Sequence, residues 1–278
     1  MNSENSPVSS RSSSLRFVTF VLALALLVVA CNRSKGGSQP GTLRVGASAV
    51  PHAEILEFAK PLLAKEGVTL QVRTFDDYVQ PNLALADGSL DANFFQHTPY
   101  LDEFQKSRPL GIVASTKVHI EPMAVYSKRH KAIAEIERGE TIAIPNDPSN
   151  SGRALKLLEK AGLLKLDPAA GVRATVRDVK DNPKDLRIKE LDAAQLPRVL
   201  SDVGAAVLNA NYALQAGLSA AKDGLAVEDK DGPYANILAV LPAEQNNADY
   251  QKLQRVLTSV EVRSFIEKKY GGAVIPAF

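Results

Sequence analysis

The chain has 278 residues, of which 45% are hydrophobic, and it carries 33 Lys and Arg against 31 Asp and Glu. The length is enough for two domains, and the balanced charge without a basic, aromatic-rich patch argues against nucleic-acid binding. A single cysteine rules out an internal disulfide, so this thiol needs another explanation.

Residues 1–30 have the layout of a secretory signal. A polar, basic start precedes an uninterrupted apolar run over residues 17–30, which is 14 residues long. A membrane-spanning helix needs about 18 or more such residues, so this run is too short to be a span. The lone Cys31 follows directly, and the sequence around it resembles a bacterial lipobox, with Val28 where leucine is usual. We expect Cys31 to be diacylated and to become the mature N-terminus, held at the membrane by its lipid chains.

The mature chain alternates short apolar runs with helical patterns, which predicts an α/β protein. Residues 31–41 precede this pattern and are rich in Gly and Ser, which predicts a flexible tether. Strands are predicted at residues 43–47, 68–75, 91–96, 123–126, 141–144, 187–191, 205–208 and 237–241. Helices are predicted at residues 53–66, 153–161, 192–201 and 249–270, the last of them split near Ser259.

Aromatic side chains gather near two predicted strand ends. Strand alternation places Phe95 and His97 on one face and Phe94 on the other, in the core. Tyr100 follows at the entrance of a helix, and Tyr78 follows the end of a different strand. Open α/β sheets bind ligands at the carboxyl ends of their strands, and rings with polar tips suit a pocket that is apolar inside. An aromatic core cluster is the alternative.

A second candidate group lies in residues 141–153, where a strand and a polar loop lead into a helix predicted to begin around Gly152. Free N–H groups at a helix start favour an anion, and Arg153 in the first turn adds a fork that can hold a carboxylate. Asn209 and Asn236 offer neutral amide oxygens suited to an ammonium group. Asn211 is an equally polar neighbour that we rank lower.

The sequence gives little support for catalysis, for a cofactor or for a metal. It contains no Walker A, Gly-x-Ser-x-Gly or HExxH motif. Its four histidines are scattered without metal-ligand spacing. We expect His52 to be a turn or interface residue and His130 to be solvated. No catalytic residue, metal ligand or cofactor is therefore predicted.

Several blocks of the sequence resemble the NLPA family, the methionine-binding lipoproteins of methionine ABC importers. The blocks are VPHAEIL at residues 50–56, DYVQPNLALADGSLDANFFQHTPYLDEF at 77–104, IPNDPSNSGRALKLLEKAGL at 144–163, ELDAAQLPRVL at 190–200, PYANI at 233–237 and the closing GGAVIPAF. The resemblance covers residues 43–278. It implies a two-lobed type II periplasmic-binding-protein fold with the ligand cleft between the lobes.

The resemblance also implies an organisation of the chain. The first lobe would comprise residues 42–122 and 231–278, and the second residues 123–230. Hinge motion near residues 121–126 and 232–240 would close the lobes on the ligand.

The resemblance further implies roles for individual residues. The thioether pocket would be lined by Tyr78, Phe95, His97 and Tyr100. Arg153 would hold the α-carboxylate, and Asn209 and Asn236 would fix the zwitterionic head. The partners implied are L-methionine, an ABC permease with its ATPase, and a membrane that the lipid anchor enters at the cell envelope, with the protein facing the periplasm or the exterior.

Three alternatives stay open from the sequence. The pocket could take a methionine derivative or a short Met-containing peptide, because the sequence does not give its length. The chain could be a small-molecule lyase or hydrolase on the same fold, although no nucleophile and base are paired in it. It could also be a structural envelope lipoprotein without a ligand, which the polar groups clustered at strand ends disfavour.

Overall fold

A computed structural model of the chain describes residues 41–278 together with Met1. The predicted signal peptide apart from Met1, the predicted lipidation site Cys31 and the predicted tether up to residue 40 lie outside the described residues. Every helix in the described part of the chain is too short or too polar to cross a membrane.

The described residues form alternating strands and helices. The strands are β1 (Thr42–Ser48), β2 (Thr69–Phe75), β3 (Ala92–His97), β4 (Val113–Ile120), β5 (Ala124–Tyr126), β6 (Thr141–Pro145), β7 (Lys165–Leu166), β8 (Val179–Asp181), β9 (Arg187–Leu191), β10 (Ala205–Leu208), β11 (Ala226–Val227), β12 (Ala235–Val240) and β13 (Ile275–Pro276). The α-helices are α1 (Glu54–Lys65), α2 (Gln80–Ala86), α3 (Thr98–Ser107), α4 (Pro148–Lys160), α5 (Ala210–Gln215), α6 (Ala220–Asp223), α7 (Ala248–Leu257) and α8 (Val260–Tyr270).

Two larger sheets organise these elements. The first has the strand order β13-β4-β12-β3-β1-β2 and the second the order β11-β5-β10-β6-β9. In each sheet the central strands run parallel and an antiparallel strand joins them, β12 beside β3 and β5 beside β10. The chain leaves the first sheet at residues 121–123 and returns to it at residues 228–234. The predicted α/β, two-lobed fold is confirmed. The predicted lobe boundaries stay a prediction, which these two crossings support.

Each sheet has its own apolar core because its central strands are buried on both faces. In the first sheet, Val45 packs with Ile55 of α1 and Leu253 of α7 in one cluster. In the second sheet, Ile144 packs with Leu158 of α4. Strands β3 and β12 are buried along their whole length. Because the two sheets pack separately, a cleft lies between them. Polar side chains from both sheets can meet in this cleft.

Two predicted helices differ from the structure. Helix α4 begins at Pro148 and not around Gly152, because the Asp147 side chain accepts a hydrogen bond from the backbone N–H of Asn150 and proline suits the first turn. Arg153 therefore lies in the second turn of α4, so its predicted position in the first turn was wrong. Residues 192–201 form a short 3-10 turn at Ala193–Gln195 and no α-helix.

Candidate functional site

A small cavity of about 20 Å³ lies between the two sheets. The seven residues predicted to bind ligand all line it. They are Tyr78, Phe95, His97, Tyr100, Arg153, Asn209 and Asn236. That they contact a ligand stays a prediction, and the structure supports it by bringing them together from both lobes.

One wall of the cavity is aromatic. The Tyr78 ring centroid lies 5.9 Å from that of Phe95 and 5.6 Å from that of Tyr100. The Tyr100 hydroxyl donates to the backbone carbonyl of Tyr78 at 2.8 Å. With the hydroxyl bonded to protein, the ring faces remain as an apolar, polarisable surface. Such a surface suits a thioether, because sulfur makes favourable contacts with aromatic rings.

His97 completes this wall as a neutral ring. Its Nδ1 accepts the backbone N–H of Tyr100 at 3.1 Å, so Nε2 carries the proton and donates to Oδ1 of Asn150 at 3.2 Å. Burial, followed by the positive charge of Arg153, lowers the pKa of His97 to about 3. The ring is therefore uncharged at neutral pH and adds no charge to the apolar end of the cavity.

The guanidinium of Arg153 is already engaged on one edge. Its Nε donates to Oε1 of Glu228 at 2.8 Å, and its Nη2 donates to Oε2 of Glu228 and, at 2.8 Å, to the carbonyl oxygen of Glu121. The guanidinium carbon lies 4.2 Å from the centroid of the Tyr234 ring. The bidentate Nε edge is thus taken by Glu228, and Nη1 donates to no described residue. A carboxylate in the cavity would have to bind through Nη1.

Two amides also line the cavity, and they differ in whether their oxygen atoms already accept a hydrogen bond. Asn209 donates from Nδ2 to Oδ1 of Asn150 at 3.0 Å, and its own Oδ1 is buried without a partner among the described residues. A buried acceptor without a donor is unfavourable, so a donor supplied by a ligand would stabilise it. Oδ1 of Asn236 lies 2.9 Å from Nε2 of His52 and is therefore already paired.

Hydrogen bonds cross the cleft directly and hold the two lobes together. The Tyr78 hydroxyl donates to Oδ1 of Asn211 at 2.6 Å, and the Tyr212 hydroxyl donates to the carbonyl of Asp76 at 3.1 Å. The bond from His97 in β3 to α4 is a third. The described conformation is therefore closed around the cavity.

Beneath the cavity, His52 and His119 converge on one carboxylate. Nε2 of His119 lies 2.7 Å and Nε2 of His52 3.2 Å from Oε1 of Glu121, and all three side chains are buried. His52 lies in the short helical turn Ala49–Ala53 that precedes α1, as expected for a turn residue, and its side chain is buried. The expectation for His130 was wrong, since its Nε2 lies 2.8 Å from Glu140 and its side chain is only 11% exposed.

The donor atoms of His52, His119 and Glu121 lie within 4.8 Å of one another, a set of ligands that zinc accepts. A metal-bound histidine almost always donates its other ring N–H to a neighbour. Here Nδ1 of both rings is buried without a partner among the described residues. A metal on Nε2 would place a proton on each Nδ1 and leave two buried donors unpaired. The arrangement therefore favours the Nε2–H tautomer, in which His119 donates to Oε1 of Glu121 at 2.7 Å and His52 donates to Oδ1 of Asn236 at 2.9 Å.

The rings of His52 and His119 are neutral at pH 7. The sequence pattern does not single out Glu121, the carboxylate beside them. Burial lowers the pKa of His52 to about 4 and that of His119 to about 3. Glu121 escaped notice because it follows β4, a strand that the pattern did not predict. Asn150 escaped notice because its loop was assigned to the region before the helix.

Two lobes joined by two crossing segments, with one closed polar and aromatic cavity between them, define a solute-binding protein. Residues 43–278 match the NlpA lipoprotein family, and the chain belongs to this family.

Named relatives and a solved structure agree with this assignment. The chain is 41% identical over 258 residues to the membrane lipoprotein TpN32 of Treponema pallidum, covering 92% of this chain and 95% of the relative. It is 40% identical over 267 residues to the D-methionine-binding lipoprotein MetQ of Escherichia coli K12, covering 94% and 98%. A nutrient-binding protein from Burkholderia cenocepacia, solved bound to methionine, is 47% identical with a TM-score of 0.83 and covers 85% of this chain and 100% of that chain.

Proposed function

We propose that this chain is an extracytoplasmic, lipid-anchored receptor that binds methionine and delivers it to an ABC importer. The observation that carries the proposal is the closed cavity, which has an aromatic wall at one end and an arginine with two amides at the other. A methionine zwitterion has the matching polarity. The methionine-bound relative from B. cenocepacia supports this choice of ligand.

The proposed pose follows from the polarity of the lining. The thioether lies against Tyr78, Phe95, His97 and Tyr100. The α-carboxylate accepts from Nη1 of Arg153, and Oδ1 of Asn209 helps to fix the head group. Oδ1 of Asn236, which already accepts from His52, helps through its second lone pair. No bond of the ligand is made or broken, so the chain is a binding protein and not an enzyme.

Titration calorimetry on the soluble chain tests the ligand. We expect binding of L-methionine, with D-methionine as a separate titration, and no binding of Asp or Lys, because an unpaired charge against the aromatic wall is strongly unfavourable. Methionine sulfoxide and a Met-containing dipeptide address the alternative ligands. Tight binding of a charged amino acid without binding of methionine would overturn the assignment.

The anchor is tested separately at Cys31. We expect Cys31→Ser to release the chain from the membrane fraction or to leave an unprocessed precursor, because the sequence offers no other thiol for acylation. Processed Cys31→Ser protein that still needs detergent would contradict the lipid anchor while leaving the ligand assignment intact.

A further inference from the structure

Three buried amide side chains form a closed hydrogen-bonded network between α2 and β3. Asn82 of α2 donates from Nδ2 to Oε1 of Gln96 at 2.9 Å, and its Oδ1 accepts from Nε2 of Gln96 at 2.7 Å. Asn93 donates to Oδ1 of Asn82 at 2.8 Å and accepts from Nε2 of Gln96 at 2.9 Å. Asn82 and Asn93 are 0% exposed and Gln96 is 3% exposed. Because each of the three oxygens accepts a hydrogen bond, the burial of these amides makes the structure more rigid instead of destabilising it.

The network closes over a β-bulge in β3. Neighbouring residues of β12 pair with Phe94 and with Gln96, so Phe95 is the extra residue in the strand. In a regular strand, residues three positions apart point to opposite faces. Asn93 and Gln96 can bond each other because the bulge turns part of the strand, and bulges often re-aim side chains beside functional sites. The hydrogen bond between these two amides therefore holds the bulge, and with it the direction of the Phe95 ring.

The network also helps to determine where Tyr78 lies. Tyr78 comes two residues before the start of α2, and Asn82 joins that helix to β3. Asn93 adds a hydrogen bond to the carbonyl oxygen of Pro81 at 3.3 Å. The rings of Tyr78 and Phe95 therefore belong to two elements that the network links. Neither Asn82 nor Asn93 lines the cavity, so an effect of either residue on a ligand must pass through the aromatic wall.

We propose that Asn82 and Asn93 are positioning residues for the aromatic wall and determine which side chains it accepts. They fix the spacing of the Tyr78 and Phe95 rings, whose centroids lie 5.9 Å apart. A wall of fixed spacing accepts a slender, unbranched side chain and rejects a branched one, because a closely packed site cannot admit a wider group without strain. This inference rests on the proposed function, since it assumes an amino-acid ligand whose unbranched side chain lies on this wall.

Calorimetry with methionine and isoleucine tests the inference, because the two ligands share the head group and have equally many side-chain heavy atoms. In the wild-type chain we expect methionine to bind about 30-fold more tightly or better. Asn82→Leu removes the centre of the network and should reduce this preference by about fivefold or more. Asn93→Leu should reduce it by a smaller factor, because Asn82 and Gln96 keep their reciprocal pair of hydrogen bonds.

Asn182→Leu is the matched control. The amide of Asn182 also makes two hydrogen bonds, both to the backbone of Leu186 in the loop before β9, and the residue lies outside the cavity. This variant should lower the melting temperature and keep the wild-type preference, because a general loss of stability does not change the spacing of the two rings.

The outcomes separate the inference from the proposed function. An equal loss of affinity for both ligands in Asn82→Leu, or a preference reduced as much in Asn182→Leu, overturns the inference alone. A wild-type chain that binds methionine and isoleucine equally does the same. If Asn82→Leu does not fold, an unchanged preference in Asn93→Leu overturns it. A wild-type chain that binds no methionine contradicts the proposed function and this inference together.

Discussion

Arg153 is held by protein before a ligand is considered. Its Nε edge pairs with Glu228, its Nη2 reaches the carbonyl of Glu121, and its plane lies over Tyr234. Glu228 also accepts the backbone N–H of Met123, so the pair joins both segments that cross between the lobes. The residue therefore has a structural task as well as the proposed binding task.

The two tasks of Arg153 can be separated by substitution. Arg153→Ala should weaken methionine binding by about 2–5 kcal/mol, because the carboxylate loses its charged partner. It should also lower the free energy of unfolding of the free chain by about 1–3 kcal/mol, because Glu228 is left unpaired while still partly reached by water. Calorimetry and urea unfolding measure the two effects.

The double variant Arg153→Ala, Glu228→Ala supplies the control. Removing both charges should recover much of the stability and none of the affinity. Recovered affinity in the double variant would show that Arg153 serves only to neutralise Glu228.

At the scale of elements, the start of α4 carries the polar part of the site. Asp147 caps this helix by accepting from the backbone and side chain of Asn150. Asn150 in turn accepts from His97 of one lobe and Asn209 of the other. The N-cap of α4 thereby orients Asn150, the residue that is hydrogen-bonded to both walls of the cavity.

Asp147→Ala should therefore affect both folding and binding. Loss of an N-cap lowers the free energy of unfolding by about 0.5–2 kcal/mol. Methionine affinity should fall as well, because Asn150 is no longer oriented. Asn247→Ala removes the cap of α7, which lies away from the cavity. This control should lose comparable stability in urea unfolding and keep its affinity; a parallel loss of affinity would show that Asp147 acts through general stability.

The elements show where sequence reasoning succeeds and where it does not. Strands such as β6 and β10 are predicted within about a residue because buried parallel strands are short apolar runs. Strand β4 was missed because Ser, Thr and Lys interrupt its apolar pattern; it is a strand because it pairs with β12 and β13. The start of α4 differs from the prediction because Asp147, in a loop rich in turn residues, caps the helix.

The predicted site residues were brought together, but their partners were not foreseen. Neither Glu228 nor the pair of His52 with Glu121 has a local signal, since each partner is distant along the chain. Pairing across long sequence separations is set by the fold. A single sequence therefore indicates which side chains suit a cavity and not which of their atoms are already used.

Over the whole molecule, three buried neutral histidines predict a loss of stability in mild acid. The folded pKa values of His52, His97 and His119 are about 4, about 3 and about 3, against 6.5 for an unperturbed ring. As the pH falls below 6.5 the unfolded chain takes up protons at these rings and the folded chain does not, so the free energy of unfolding falls until the folded pKa is reached.

At pH 5 each ring should contribute a loss of about 2 kcal/mol relative to pH 7. The raised pKa of Glu121 opposes part of this loss, because the folded carboxyl takes up its proton first. Urea unfolding at the two pH values checks the prediction, and His119→Gln should show a weaker dependence. Equal free energies of unfolding at pH 7 and pH 5 would contradict it.

The hydrogen bonds from Tyr78 to Asn211 and from Tyr212 to Asp76 have a consequence for kinetics. A ligand enclosed in the cavity leaves only after these bonds break and the lobes separate. The residence time is then set by how often the protein opens rather than by the ligand's own contacts. In stopped-flow measurements, methionine and a weaker-binding analogue should dissociate at similar rates and differ mainly in association, and Tyr212→Phe should shorten the residence time of both. Such a receptor would release its ligand when a transporter holds the lobes apart.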